Sequence, residues 1–181
     1  MKCPVCKTAY LDSFESDDMP AKLVCDRCGG LWIKAYQYWK WLMAHGENLP
    51  EKPADDGESL PVTDSTNAKL CPECGRFLSR KKVGHGVDFH IDRCATCGGF
   101  WFDKNEWEIL KSRNLHDDVH FIFSSAWQHR IADEDRRETY DKRISIILGQ
   151  HDWTRASDFK NWTAIHPKRS TIMAYLADID A

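Results

Sequence analysis

Residues 94–107 read Cys94-Ala-Thr-Cys97-Gly98-Gly99-Phe100-Trp101-Phe102-Asp103-Lys104-Asn105-Glu106-Trp107, and the fold is decided here. Two cysteines with two residues between them clamp one side of a tetrahedral ion, and a second pair brought back by a hairpin completes the cage. That second pair is Cys71 and Cys74, with residues 75–93 lying between the pairs. Further upstream, Cys3, Cys6, Cys25 and Cys28 repeat the arrangement around residues 7–24, so that every cysteine of the chain is used. This spacing is that of four-thiolate zinc ribbons, and two structural Zn²⁺ ions per chain are expected, with iron the alternative metal for the same sulfur cage. A disulfide framework would accompany an export signal, whereas the chain opens with Lys2-Cys3-Pro4. A redox dithiol would occur once, beside a βαβ pattern.

The two cysteine sets are copies of one module. Cys3 and Cys6 correspond to Cys71 and Cys74, Cys25 and Cys28 correspond to Cys94 and Cys97, and Cys-Gly-Gly-x-Trp recurs at Cys28 to Trp32 and Cys97 to Trp101. Between the copies, Leu49 to Asn67 holds Pro50, Pro53, Pro61, Gly57 and five acids. That composition reads as an extended linker, so the ribbons need no contact with each other. The expected organisation is ribbon one at 1–47, an acidic linker at 48–67, ribbon two at 68–114 and a helical region at 115–181. The expected class is a small zinc-stabilised α+β fold, two tandem ribbons of hairpin plus short helix followed by an all-α region.

In ribbon two, Phe77 to Arg93 reads as a hairpin turning at Gly84-His85-Gly86. Phe77, Val83, Val87, Phe89 and Ile91 fall on one face, and Leu78, Arg80, Lys82, Asp88, His90 and Asp92 on the other, with Lys82 opposite Asp88. The run Arg80-Lys81-Lys82 then reads as a solvated strand face, with His85 and His90 exposed. The Gly-Gly after each second pair permits positive φ beside the sulfurs. A helix follows, with Asp103 as its cap and Glu106 three residues on. In ribbon one the matching helix, 31–43, carries Trp32, Tyr36, Tyr38, Trp39 and Trp41, more aromatic surface than a ribbon core buries. Trp32, Tyr36, Trp39 and Trp41 are therefore the candidate partner-binding residues, unless the helical region covers them.

Cys71-Pro72-x-Cys74 with Cys94-x-x-Cys97-Gly98-Gly99-Phe100-Trp101-Phe102-Asp103-x-x-Glu106 resembles the bacterial zinc ribbons of the transcription factor IIB type, the transcription factor zinc-finger family. The resemblance implies a zinc-ribbon fold and bound zinc; the family's transcriptional name comes from its likeness to the general transcription factor's ribbon. The family's Trp, Asp and Glu correspond to Trp101, Asp103 and Glu106. Copy one keeps Trp32 but has Lys34 and Gln37 where the acids would stand, and Asp26 and Ala95 replace a proline that members often place after the third cysteine.

Beyond the ribbons, Val119, Ile122, Phe123, Ala126, Trp127 and Ile131 form one helical stripe. It loses phase at Asp133-Glu134-Asp135, so a second helix is expected from about Glu134 to Leu148, stopped by Gly149. A third, from Asp152 or Ser157, carries Trp153, Ala156, Phe159, Trp162 and Ile165, and Pro167 opens a fourth. His116 and His120 beside Asp117 and Asp118 read as a solvated face, with a second-metal or acid/base cluster, and so an enzyme using the tail's His and Asp, the outside alternative.

Charge narrows the function. The formal net charge of −3 becomes about −7 when each cage carries about −2. Only residues 68–115, with nine basic and six acidic side chains, are cationic, which disfavours a general polyanion binder. A closed four-thiolate site leaves no position for substrate water, and no phosphate-cradling Gly loop, nucleophile elbow or His-Glu-x-x-His helix occurs. The expected function is a non-enzymatic, cytoplasmic zinc-binding adaptor recognising a macromolecule, foremost a protein and in a transcription setting. The second reading is weak nucleic-acid binding through Arg76, Arg80, Lys81, Lys82, Arg93 and Lys104. No membrane role is expected, and the sequence sets no oligomeric state.

Overall fold

The computed structural model describes residues 1–16, 19–45 and 60–178, so residues 48–59 of the expected linker lie outside the description. The chain divides into two compact units, Met1–Ile131 and Ala132–Ala181.

The first unit is built on one six-stranded sheet. Ribbon one contributes β1 (Asp12–Ser16), β2 (Met19–Val24) and β3 (Leu31–Ile33), then α1 (Ala35–His45); ribbon two contributes β4 (Ser79–Gly84), β5 (Val87–Arg93) and β6 (Phe100–Phe102), then α2 (Glu106–Ser112). The strand order is β1-β2-β3-β6-β5-β4. The helix expected from residue 31 thus begins only at Ala35, because Leu31, Trp32 and Ile33 are taken into the sheet. The two shortest strands, β3 and β6, follow the two Gly-Gly pairs. They lie antiparallel at the centre and pair Leu31 with Phe102, Trp32 with Trp101 and Ile33 with Phe100. The ribbons are therefore joined, in place of the free tethering that the linker composition suggested. Every residue of β3 and β6 is buried. An apolar ribbon strand too short to close its own core is completed by its copy.

The hairpin β4–β5 turns at His85-Gly86 as expected, but Lys82 pairs in register with His90 in place of the expected Asp88, because the ladder shifts register between Lys82 and Gly84. Val83, Val87, Phe89 and Ile91 are buried, but Phe77 lies outside the strand and is exposed. Asp92, expected on the solvated face, is buried as well, for a reason given below.

One side of the sheet is closed by α1, α2, α3 (Val119–Ile122) and the first two turns of α4 (Ser125–Leu148). Trp127 inserts its ring and donates from Nε1 to the Val83 carbonyl at 2.8 Å, and Gln128 Nε2 donates to the Lys82 and Ile122 carbonyls. Gly84, at φ +72°, faces Ile131 so closely that a Cβ would lie 2.0 Å from its Cδ1. Side chains between 119 and 131 therefore belong to the ribbon unit's core, beyond the boundary expected at residue 114.

In the second unit the remainder of α4 is followed by α5 (Gln150–Ile165) and α6 (Arg169–Ala177). The phase break at 133–135 does not interrupt α4: Asp133 and Glu134 are exposed and Asp135 half-buried, so the helix continues at the surface with no apolar face required there. Gly149 ends it at φ +76°, as its sequence position implied.

Candidate metal centres

Each cysteine pair sits on a knuckle with one hydrogen-bond pattern. The backbone N–H four residues past the first cysteine donates to that cysteine's carbonyl: Lys7 to Cys3, Gly29 to Cys25, Gly75 to Cys71 and Gly98 to Cys94, at 2.8–2.9 Å. All four donors have φ between +62° and +72°. Three are glycine, for which that conformation is free of Cβ strain, and Lys7 is the exception. Further N–H groups point at sulfur, from Cys6 to Cys3 Sγ and from Cys97 to Cys94 Sγ, both 3.3 Å.

The sulfurs of Cys3, Cys6, Cys25 and Cys28 lie within 4.8 Å of one another, as do those of Cys71, Cys74, Cys94 and Cys97. Individual separations are 3.6 Å for Cys3 to Cys28, 3.9 Å for Cys6 to Cys25 and 3.6 Å for Cys74 to Cys94. A tetrahedron with metal–sulfur bonds of about 2.3 Å has edges of about 3.75 Å, whereas a disulfide would bring two sulfurs to about 2.05 Å. The donor sets fit two structural zinc ions. Burial pushes the Cys3 and Cys71 thiols up to about 11, while the Arg76 N–H beside exposed Cys74 draws that thiol down to about 7. Zinc must therefore displace protons to form the cage, which ties metal affinity to pH.

Behind the cages stand Trp32 and Trp101, both fully buried. Each lies over the other ribbon's Gly-Gly: a Cβ on Gly30 would come 2.3 Å from the Trp101 ring, and one on Gly99 would come 2.3 Å from the Trp32 ring. The repeated Cys-Gly-Gly-x-Trp is thus a reciprocal lock between the copies. Its first glycine serves its own knuckle and its second makes room for the partner copy's indole.

The two indoles are held differently. Trp101 Nε1 donates to Asp103 Oδ1 at 2.8 Å. Asp103 Oδ2 accepts from the Ser65 N–H at 2.8 Å and from Lys69 Nζ at 3.1 Å, and Lys69 also reaches Asp92 Oδ2 at 2.6 Å. Asp103 is therefore not the helix cap; Asn105, at φ +70°, precedes α2. Lys69, itself buried, is what draws Asp92 inside, because a buried carboxylate needs a charged partner. Glu106 is fully buried and accepts the Asp103 N–H through Oε2; burial first, then the neighbouring Asp103 charge, raises it to about 9. Copy one lacks these acids, and Trp32 Nε1 turns instead to Glu73 of ribbon two's first knuckle, at 3.4 Å.

The remaining sequence candidates are dispersed. Trp41 is buried against Trp107, His116 and His45, with ring centroids 5.7–6.1 Å apart. Together with Trp32 it is covered within the chain and is not available to a partner. Tyr38 is buried and donates to the Asp117 carbonyl at 2.5 Å. Tyr36 and Trp39 are exposed; the Trp39 ring meets His120 at a tilt, with centroids 4.8 Å apart, and His120 in turn meets exposed Phe121. His116 is buried rather than solvated. Of the basic residues, Arg80 is bound to Asp64 and the Ser65 carbonyl, and Arg93 lies over Phe100 and Phe123. Arg76 donates to Thr96 Oγ1 at 2.7 Å, Lys82 faces Asp88 at 3.9 Å, and the Lys104 stem lies along Gly29.

Sequence reasoning missed Lys69, Asp64, Glu73 and the positive φ of Lys7. Only a lysine beside a metal knuckle hinted at the first, since its acidic partners are remote in sequence, Asp92 in β5 and Asp103 just after β6.

Residues 2–44 and 70–113 both match the transcription factor zinc-finger family. The chain therefore carries two tandem zinc ribbons of that family, and the likeness seen in its motifs is shown over both copies. No curated protein and no solved structure matches the chain. Among the described residues no helix is long and apolar enough to cross a membrane.

Proposed function

We propose that the protein is a non-enzymatic zinc-ribbon adaptor that binds a protein partner in a transcription-associated setting. The observation that carries this reading is the aromatic surface left on α1 and α3 after the fold has taken its share. Trp39 and Phe121 remain exposed against His120, and Tyr36 is exposed one turn before Trp39 on α1; exposed aromatics held on rigid helices are typical of interface anchors. Two of the six cations considered for nucleic acid, Arg80 and Arg93, are engaged with Asp64 and with aromatic rings, which leaves a small phosphate footprint. Both metals have four sulfur donors, so neither has an open position for Lewis-acid chemistry.

The deciding experiment compares Tyr36→Ser/Trp39→Ser with Lys81→Ala/Lys104→Ala, both folded and zinc-loaded, in pull-downs and in nucleic-acid titrations over several salt concentrations. Partner capture that survives high salt and disappears in the aromatic variant supports the reading. Binding to DNA or RNA with a log–log salt slope steeper than about −4, unchanged by the aromatic variant and weakened by the lysine variant, would replace it with nucleic-acid recognition.

A further inference from the structure

Residues 61–69, which lead into ribbon two, form no helix or strand and are tied down along their length. Asn105 Nδ2 donates to the Pro61 carbonyl at 2.9 Å. Asp64 is gripped by Arg80 and by His90 Nδ1, the latter at 3.0 Å, and the Ser65 N–H donates to Asp103 Oδ2 at 2.8 Å. The segment is a strap, and its holders stand on β4, on β5 and on the turn from β6 into α2.

The ladder register gives each holder a counterpart in ribbon one. Asp12 pairs with Val24 as Ser79 pairs with Arg93, and Leu23 pairs with Trp32 as Asp92 pairs with Trp101. Ser13 therefore stands where Arg80 does, Ala21 where His90 does, Lys34 where Asp103 does and Tyr36 where Asn105 does. All four line a single open cleft of ribbon one, together with Trp32, the counterpart of Trp101. Among the described residues no strap lies on it.

We infer that this cleft is a docking seat for an extended peptide of a protein partner, held as the strap is held in ribbon two but carrying a carboxylate toward Lys34. Charge selects that chemistry. In ribbon two the wall supplies the carboxylate, Asp103, and the segment brings the cation, Lys69. In ribbon one the wall supplies the cation, so the occupant brings the acid. Two donors are under-served there. Trp32 Nε1 and Lys34 Nζ both turn to Glu73 of ribbon two, at 3.4 and 4.0 Å, against 2.8 Å from Trp101 Nε1 to Asp103. Those contacts are long for hydrogen bonds, and a carboxylate entering beside Lys34 can accept from both donors. Ser13 and Ala21 replace the two cationic grips, so a second acid at the Asp64 position gains no charged partner from them. The exposed rings of Phe14 and Tyr36 flank the seat and favour small or apolar neighbours for the single acid. The inference rests on the reading of the protein as a binder of protein partners, and names the peptide that one face of it takes.

The test is calorimetric titration of the full zinc-loaded chain with end-blocked peptides copied from residues 61–66. One peptide carries Asp64→Ala and Ser65→Glu, the other Asp64→Ala and Ser65→Lys. The acidic peptide should bind, and the basic one should bind about tenfold more weakly or less. Lys34→Glu in the protein should reverse that order, a gain that a misfolded chain would not show. Trp39→Ser should leave both affinities unchanged. No binding of the acidic peptide through about 1 mM, or an affinity indifferent to Lys34→Glu, would overturn the inference; partner capture through Trp39 that persists in that case leaves the adaptor reading standing without it. Sedimentation at twice 21.0 kDa that the acidic peptide reverses would give the cleft to a second copy of the chain and overturn the inference as well.

Discussion

At the scale of single residues, two glycines carry more of the fold than their composition suggests. Gly30 and Gly99 are needed because the other ribbon's tryptophan occupies the space of their Cβ. Gly30→Ala and Gly99→Ala should each destabilise the ribbon unit by about 1–3 kcal/mol, the usual cost of overpacking a closed core, as measured by urea unfolding at fixed zinc concentration. Glu106 provides a pH signature. It is held as a neutral acid up to about 9 in the fold against 4.5 for the free side chain, so the folded state binds its proton more tightly. The associated stabilisation is complete below the unfolded value and is lost as pH rises toward 9. Glu106→Gln keeps a neutral group in place, so its stability relative to wild type should rise steadily between about pH 5 and pH 9. A pH-independent difference would contradict the protonated assignment. The metal ligands were legible because spacing alone specifies a tetrahedral cage. The Lys69–Asp92–Asp103 cluster was not, because burial of charge depends on partners that only the folded chain brings together.

Among the elements, α1 shows where the sequence could be read and where it could not. Its aromatic excess correctly signalled that a ribbon core could not absorb every ring, but pattern alone could not say which rings are covered. The covering residues are Trp107 of α2 and His116 just before α3, both of which meet Trp41. Trp41→Ala should therefore cost roughly 3–5 kcal/mol of stability, as for other buried aromatics, while Trp39→Ala should cost under about 1 kcal/mol because that ring is on the surface. Thermal or urea unfolding of the two variants side by side checks the contrast, and equal losses would show that the assignment of buried and free rings is wrong. The β4–β5 hairpin was legible down to its turn, since alternation and Gly-His-Gly are local signals. The pairing of β3 with β6 was not, since it joins strands from separate copies of the repeat that are too short to carry a periodicity.

For the whole molecule, duplication was read as two independent modules on a tether, and the structure makes them halves of one sheet. Internal repeats predict equal folds but do not predict contact, and the contact here comes from short apolar strands and indoles that each copy leaves uncovered. The residues from 119 to 131 close that same core, whereas residues 132–181 form the second unit. Zinc-dependent folding of one ribbon should then be felt by the other. The most direct test is native mass spectrometry of Cys97→Ser during competition with a zinc chelator. Loss of the second cage should loosen β6 and remove Trp101 from Gly30, so the zinc held by Cys3, Cys6, Cys25 and Cys28 should be given up at least tenfold more readily than in wild type. If that first zinc is retained with wild-type affinity, the two ribbons fold independently and the shared-sheet account is contradicted.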